Sequence, residues 1–591
     1  MNNYYERPQY RIIDELAYTE DNILVYNVFV SNLPKDATTE NLKEIFQKFG
    51  EVVNVRLLIN RRRRNCSISF ADASVATEVL QYCSPQYFRN CRMDIECIHS
   101  IHQPGGQRLI ELLSENSKND SINDIASCTT HLEQNALIFT LNDDCLEHIC
   151  KKLDLNDQIN FALSCQRFCE ILKMISRVEY QHFNTYILSQ LTPFKAVIFL
   201  KIVGPQIKTL TASGYIYIDV KFLTLCTNVE KLKISNCLIH ISNKLIAKMP
   251  LLNELDIDDI DLNLINLLKT LKNFKILNID CNRNITGKNI HFLSGLEKLS
   301  LNGCENIAPW NFKKICQNLK KLQYLDIRDC NLLKTEEFEL IPQHLLHLEI
   351  LKISFSADQT INCIAQLPKL KHLEIKYNEM CTFQNIYFKN DFNADDTFFK
   401  DLGQQQAEQL EELKLTNIWY FSVEMAVSVA KLQKLKVLYL NNCKIDNESL
   451  EKFSQLTALE ELNVLDCSAI TNVGVLQLLE HGVTLKRINL SICEGITPDL
   501  VNQVFKLLKE QRDCYLRTDL LHITLAFTYL CLIDEIGLEE SPDVLKITLN
   551  DHYLVQHFDD SYPPSELEED DFNYSGGECY DYFRSKRDYS D

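Results

Sequence analysis

Long apolar runs are missing from this 591-residue chain. The longest, Leu520 to Ile533, is broken by His522, Thr524 and Thr528. It falls short of the roughly 20 residues that cross a bilayer, so no membrane contact is expected. Met1 to Arg11 is polar and lacks the apolar centre of a secretory signal, which points to a soluble protein of the cytoplasm and/or nucleus. Positive charge is also scarce. With 61 Lys and Arg against 81 Asp and Glu the formal net charge is −20, which argues against a general nucleic-acid coat and leaves room for a local basic site. No CxxC pair occurs, and the loose group Cys97, His99 and His102 does not meet the spacing of a structural zinc site. Nucleophile elbow, phosphate loop and metal-binding triad are absent too. The residues themselves thus offer no catalytic, metal or cofactor site. Its 23 cysteines, without a secretory signal, should be reduced.

What the chain does have is a unit of the form apolar-x-x-apolar-x-apolar, closed by Cys or Asn. Examples are Val229-Leu232-Ile234-Cys237, Leu296-Leu299-Leu301-Cys304, Leu322-Leu325-Ile327-Cys330, Leu435-Leu438-Leu440-Cys443, Leu459-Leu462-Val464-Cys467 and Leu485-Ile488-Leu490-Cys493. The second and third apolar positions lie two apart and so share one face of a short strand. Helical spacing follows the turn, as in Phe312, Ile315 and Leu319. One buried Leu or Ile contributes roughly 1.5–3 kcal/mol, against roughly 1–2 kcal/mol of backbone entropy for every residue ordered. A lone unit cannot fold, and the units must stack into an α/β solenoid. Weak end units are expected at Ile207-Leu210, Leu520-Ile523-Leu525 and Val544-Ile547-Leu549. Strand residues facing away from the core are candidate target contacts: Asp256, Asp258, Asp326, Arg328, Lys352, Lys376, Lys414 and Tyr439.

Residues 24–98 alternate strand, helix, strand, strand, helix, strand, and resemble an RNA-recognition-motif domain with a ferredoxin-like βαββαβ fold. Val28 to Leu33 matches one ribonucleoprotein motif; Arg63-Arg64-Asn65-Cys66-Ser67-Ile68-Ser69-Phe70 stands for the other, and its two base-stacking positions hold Asn65 and Ser67. Losing two stacking platforms removes roughly 2–6 kcal/mol of RNA affinity. Phe29, Asn32 and Arg61, Arg62, Arg63 and Arg64 remain as candidate RNA contacts.

The block from Leu141 to Phe168 supplies Leu141, Asp144, Leu146, Ile149, Leu153, Leu155, Asp157, Leu163, Cys165, Arg167 and Phe168 in the order of an F-box, which it resembles. It departs at Asn142 and Cys150, where Pro and Phe are usual; Asn can cap the following helix. F-box and cysteine-ended repeats together resemble the F-box/leucine-rich-repeat proteins, cysteine-containing repeat subclass. The resemblance implies a three-helix F-box that docks the Skp adaptor of a cullin-RING ubiquitin ligase through Leu141, Leu146, Ile149, Leu153 and Leu155, and a solenoid that holds an unknown target protein for ubiquitination and degradation. The alternative is an RNA-binding or messenger-RNA-export adaptor that uses the RNA-recognition and repeat modules as a scaffold.

The expected organisation is an N-terminal extension at 1–23, the RNA-recognition-like domain at 24–98, a polar linker at 99–135, the F-box at 137–178 and the solenoid at 205–555. An insertion is expected near 379–409, and an acidic disordered tail at 556–591.

Overall fold

The structure, a computed structural model, describes residues 9–34, 37–59, 64–82, 86–88, 91–108, 137–213, 220–235, 243–257, 262–356, 359–378, 396–418, 421–514, 516–517, 519–525 and 544–549. Two compact units divide the chain, Met1–Leu413 and Lys414–Asp591.

The first unit opens with a hairpin of β1 (Tyr10–Ile13) and β2 (Leu16–Thr19). The ferredoxin-like sheet follows, built from β3 (Asn27–Ser31), β4 (Val52–Ile59), β5 (Arg64–Phe70), β6 (Gln86–Phe88) and β7 (Cys91–Cys97) in the order β4-β5-β3-β7-β6. Helices α1 (Thr39–Phe46) and α2 (Ala73–Tyr82) cover one face. Thr38 starts α1 by accepting from the Asn41 amide at 3.3 Å. Leu42 and Phe46 of α1, and Ala76 and Val79 of α2, are buried with Val28, Val30 and Ile68 of the sheet. Gly50 is needed for closeness: a Cβ there would come within 2.5 Å of the Val75 side chain.

Both flanks of this domain are more ordered than sequence composition indicates. Within the segment read as an extension, the β2 amide of Ala17 donates to the Thr77 hydroxyl at 2.8 Å and Ala17 is fully buried. The start of the expected linker is also folded. Gln103 is fully buried, its Oε1 accepts from the Tyr26 and Asn27 amides at 2.9 Å each, and its Nε2 donates to the Asn27 carbonyl at 2.8 Å. A single glutamine thereby extends the ladder beyond β3. Residues 109–135 of the linker lie outside the described residues.

Helices α3 (Asp143–Lys152), α4 (Leu155–Ser164) and α5 (Gln166–Glu179) form the next bundle. Helix α6 (Pro193–Val203) follows, with Thr192 as its cap and Pro at its first position. Apart from Lys195 and Lys201 it is apolar, and Ala196 to Leu200 are buried, as such a helix requires.

Parallel strands then run in sequence order: β8 (His182–Asn184), β9 (Thr209–Ser213), β10 (Lys231–Ser235), β11 (Glu254–Ile257), β12 (Ile276–Asn278), β13 (Lys298–Ser300), β14 (Tyr324–Ile327), β15 (Ile350–Phe355) and β16 (His372–Tyr377). Their register places Leu232, Leu255, Leu277, Leu299, Leu325, Leu351 and Leu373 opposite one another. This is the second apolar position of each unit, stacked as the sequence period demands. Helices return on the other side, among them α7 (Asn243–Ile246), α8 (Leu262–Leu268), α9 (Pro309–Asn318), α10 (Thr335–His344) and α11 (Asp396–Gln405). Two readings change here. The ladder begins at β8, ahead of residue 205, because a three-residue strand with Phe183 as its single buried residue has no period to read. The expected insertion at 379–409 is in part a repeat helix: Phe398, Phe399 and Leu402 of α11 are buried, and the Gln406 side-chain Nε2 donates to the carbonyls of Ala365 and Leu367.

Strand β17 (Glu412–Thr416) spans the end of the first unit. The second unit repeats the pattern with β18 (Val437–Asn441), β19 (Glu461–Asn463), β20 (Arg487–Asn489), β21 (Leu521–Leu525) and β22 (Leu545–Leu549), which align Leu438, Leu462, Ile488, Ile523 and Ile547. The acidic tail lies outside the described residues.

The turn cysteines have a mechanical role. Each thiol donates to a carbonyl of the preceding unit: Cys304 to Ile279 at 3.1 Å, Cys330 to Leu301 at 3.2 Å, Cys467 to Leu440 at 3.0 Å and Cys493 to Val464 at 3.1 Å. Asn282 fills the same position and donates to Ile257 at 3.0 Å, so the neighbouring Cys281 is exposed and is not a turn cysteine. The residue just before the turn is left-handed in each case, at Cys281, Gly303, Asp329, Asn442, Asp466 and Ile492. Cys237 falls outside the described residues.

Candidate functional site

Two surfaces are candidate sites: the outer surface of the α3–α5 bundle and the open face of the N-terminal sheet. The bundle is built around Arg167. From the start of α5 its Nη2 donates to Asp143 at 2.7 Å and to the Leu141 carbonyl at 2.6 Å, and its Nη1 donates to the Phe139 carbonyl at 3.1 Å. This fixes the 3-10 turn Leu137–Thr140 that leads into α3. Asn142 then caps α3 by accepting from the Cys145 amide at 2.9 Å, and Asp154 caps α4 by accepting from Asp157 at 2.8 Å. Phe168 stacks between Phe161 and Phe139, with ring centroids at 4.2 and 5.5 Å.

The phase set by the Asn142 cap decides which apolar residues face out. Leu146 and Cys150, four apart, point inward and are fully buried. Leu146 is therefore a packing residue, which corrects its expected place on the docking surface. Ile149 is 36% exposed, and Leu141, Leu153 and Leu155 are half-buried. Sequence reasoning missed three more exposed apolar residues: Leu137 (84% exposed), and Met174 and Val178 (73%), one turn apart on α5. Their signal was an apolar excess on a helix whose inward face was already supplied by Phe168, Ile171, Leu172 and Ile175.

On the sheet, β3 is central, with Phe29 half-buried between Ser67 of β5 and Glu96 of β7. Asn65 and Ser67 point to the same side as Phe29, since the alternate residues Cys66 and Ile68 are buried. Asn32, in a left-handed turn, donates to the Arg92 carbonyl at 2.6 Å. Arg61, Arg62 and Arg63 lie outside the described residues, and Arg64 opens β5.

The strand residues singled out as target contacts are largely paired with each other. Asp256 faces Lys233 at 3.3 Å. Asp326 is buried and bonded by Arg328 at 2.8 Å; Arg328 also reaches Glu374 at 2.6 Å, and Lys352 reaches Glu374 at 3.1 Å. Lys376 pairs with Asp329 at 3.1 Å. In the second unit Lys414 lies 4.7 Å over the Tyr439 ring. Asp326, held under Arg328 and nearly inaccessible, is not free to meet a target, which corrects its assignment. Asp258 falls outside the described residues.

Among the described residues no His, Cys, Asp and Glu group could hold a metal, and no helix is long and apolar enough to cross a membrane.

Comparison with known families agrees with this anatomy. The RNA recognition motif family matches residues 28–94, and the F-box domain family matches residues 138–179. The chain thus carries an RNA-recognition-motif domain, an F-box and a leucine-rich-repeat ladder. An F-box marks a ubiquitin-ligase adaptor, and an RNA recognition motif marks an RNA-binding module. No curated protein matches the chain. Among solved structures, the RRM3 domain of Mip6 is 16% identical over 12% of this chain and 93% of that chain, with a TM-score of 0.12. An internalin from Listeria monocytogenes is 14% identical over 57% of this chain and 84% of that chain, with a TM-score of 0.30.

Proposed function

We propose that this protein is the substrate-recognition subunit of a Skp-cullin-F-box ubiquitin ligase, working in the cytoplasm and/or nucleus. The F-box docks the Skp adaptor, and the repeat strands hold a target protein for ubiquitination and proteasomal degradation. The observation that carries this reading is the F-box match at 138–179 on a bundle that leaves Leu137, Ile149, Met174 and Val178 exposed after its own core is filled. A bundle that only capped the ladder would have no use for them. The chain itself performs no chemistry in this reading; the cullin-RING partner brings the ubiquitin-transfer machinery.

The N-terminal domain contributes a weak RNA grip through Phe29 and the arginine run Arg61, Arg62, Arg63 and Arg64, which would favour RNA-associated targets. Co-purification of the full chain with the Skp adaptor tests the docking claim. Ile149→Asp with Val178→Asp should abolish the association; these exposed positions replace Leu146, whose substitution would perturb the core.

A further inference from the structure

The segment 262–321 of the first unit carries a concentration of positive charge that the proposed function leaves unused. Residues 262–321 contain ten Lys or Arg and three Asp or Glu, a local excess of +7 in a chain of net charge −20. Two of those acids are already neutralised, Glu297 by Lys275 at 2.9 Å and Glu305 by Arg283 at 3.3 Å. The third, Asp280, is on the strand side. Among the described residues Lys269, Lys313 and Lys314 have no carboxylate partner.

Aromatic rings lie among these lysines. Phe292, in the turn Ile290–Phe292, is 52% exposed and has the Lys269 ammonium 5.2 Å from its centroid. His291 lies beside it, ring centroids 4.1 Å apart, and burial and then the charge of Lys314 hold its imidazole below the usual range. Trp310, one of two tryptophans in the chain, is 68% exposed at the start of α9. Lys313 and Lys314 follow it at helical spacing and share its face. The patch ends at α10, where Glu336 and Glu339 are exposed. Exposing a Trp and a Phe among unpaired lysines has no benefit for folding of the ladder, since its interior is filled by Ile290, Phe312 and Ile315.

We infer that this basic-aromatic patch, centred on Trp310, Phe292, Lys269, Lys313 and Lys314, is a binding site for single-stranded RNA, separate from the N-terminal sheet. Unpaired ammonium groups hold phosphates, and flat exposed rings stack bases without sequence preference. An acidic peptide would satisfy the lysines but leave the two rings without a planar partner, which is why RNA is the better fit. The site also supplies the stacking that Asn65 and Ser67 removed from the N-terminal sheet. It stands independently of Skp-adaptor docking.

The test is fluorescence anisotropy of a labelled oligouridine with the full chain, with oligoglutamate as competitor. Wild type should bind, and affinity should fall roughly 20–50-fold between 50 and 200 mM salt, as three or four phosphate contacts require. Trp310→Ala should weaken binding by about 5–150-fold, the value of one base stack. Lys313→Glu with Lys314→Glu should abolish the salt dependence carried by those contacts, and Phe29→Ala should leave the Trp310 effect unchanged. Circular dichroism of the Trp310 variant and the double lysine variant should match wild type, since these three positions are exposed. Wild-type affinity in Trp310→Ala and in the double lysine variant overturns the proposal. So does capture of oligoglutamate with no binding of RNA, which would assign the patch to an acidic protein.

Discussion

Arg167 and Asp143, 24 residues apart, meet at 2.7 Å and close the F-box entry onto its last helix. The same guanidinium satisfies two backbone carbonyls, at Leu141 and Phe139, that the bend into α3 leaves open. Hydrogen bonds to a charged group contribute roughly 1.5–3 kcal/mol. Arg167→Ala should cost about that much stability in the bundle, and Arg167→Lys should rescue little because an ammonium cannot serve several acceptors in one plane. Thermal unfolding of the full chain with and without each change, read by protease cleavage between 137 and 179, measures it.

The turn cysteines should be chemically silent. Burial pushes the thiols of Cys304, Cys443 and Cys493 up to about 12, so they stay protonated and keep donating to the preceding unit. Iodoacetamide labelling of the native chain at pH 8 should mark the exposed Cys145, Cys281 and Cys514 and spare these three. Rapid native labelling of Cys493 would remove the hydrogen-bonding role assigned to it.

Ile492 occupies a left-handed conformation at φ 60°, where a β-branched residue is strained. The equivalent position holds Gly303 in one unit and Asn442 in another. Ile492→Asn should stabilise the second unit by about 1 kcal/mol, the order of the left-handed penalty. Urea denaturation checks the sign.

Much of this was legible in the chain and some was not. The ladder register followed from the spacing of Leu232, Leu255 and Leu277, because a two-residue period and a repeat of fixed length leave one way to stack. The F-box segment was legible from Leu141 to Phe168, but the inward turn of Leu146 depended on the phase set by Asn142, which apolar character alone does not reveal. Strand β8 and the Gln103 plug were invisible for another reason. Each rests on one side chain, Phe183 or Gln103, whose partner is remote in sequence. Asp326 differs, since its partner Arg328 is only two residues on: composition reads it as a surface acid, and the fold turns the guanidinium back over it.

Asp280 should make the first unit sensitive to mild acid in an unusual direction. Burial, with a contribution from Asp326, raises its carboxyl to about 6, while Ser300 and the Asn302 amide bond its Oδ1 at 2.6 and 2.9 Å. A raised acid binds its proton more tightly in the folded state, so stability falls as pH climbs from about 4 to 6. Asp280→Asn keeps both hydrogen bonds and should remove this slope, stabilising the unit at pH 7 by up to about 3 kcal/mol. Denaturation midpoints at pH 4, 5, 6 and 7 decide it.

The proposed function depends on docking of a Skp adaptor through side chains that the F-box core does not need. Isothermal titration of the purified full chain with the Skp adaptor tests it directly. A one-to-one complex is expected, lost in Ile149→Asp with Val178→Asp while the far-ultraviolet spectrum is unchanged. No heat with the wild-type chain, or equal affinity in the double variant, would contradict it.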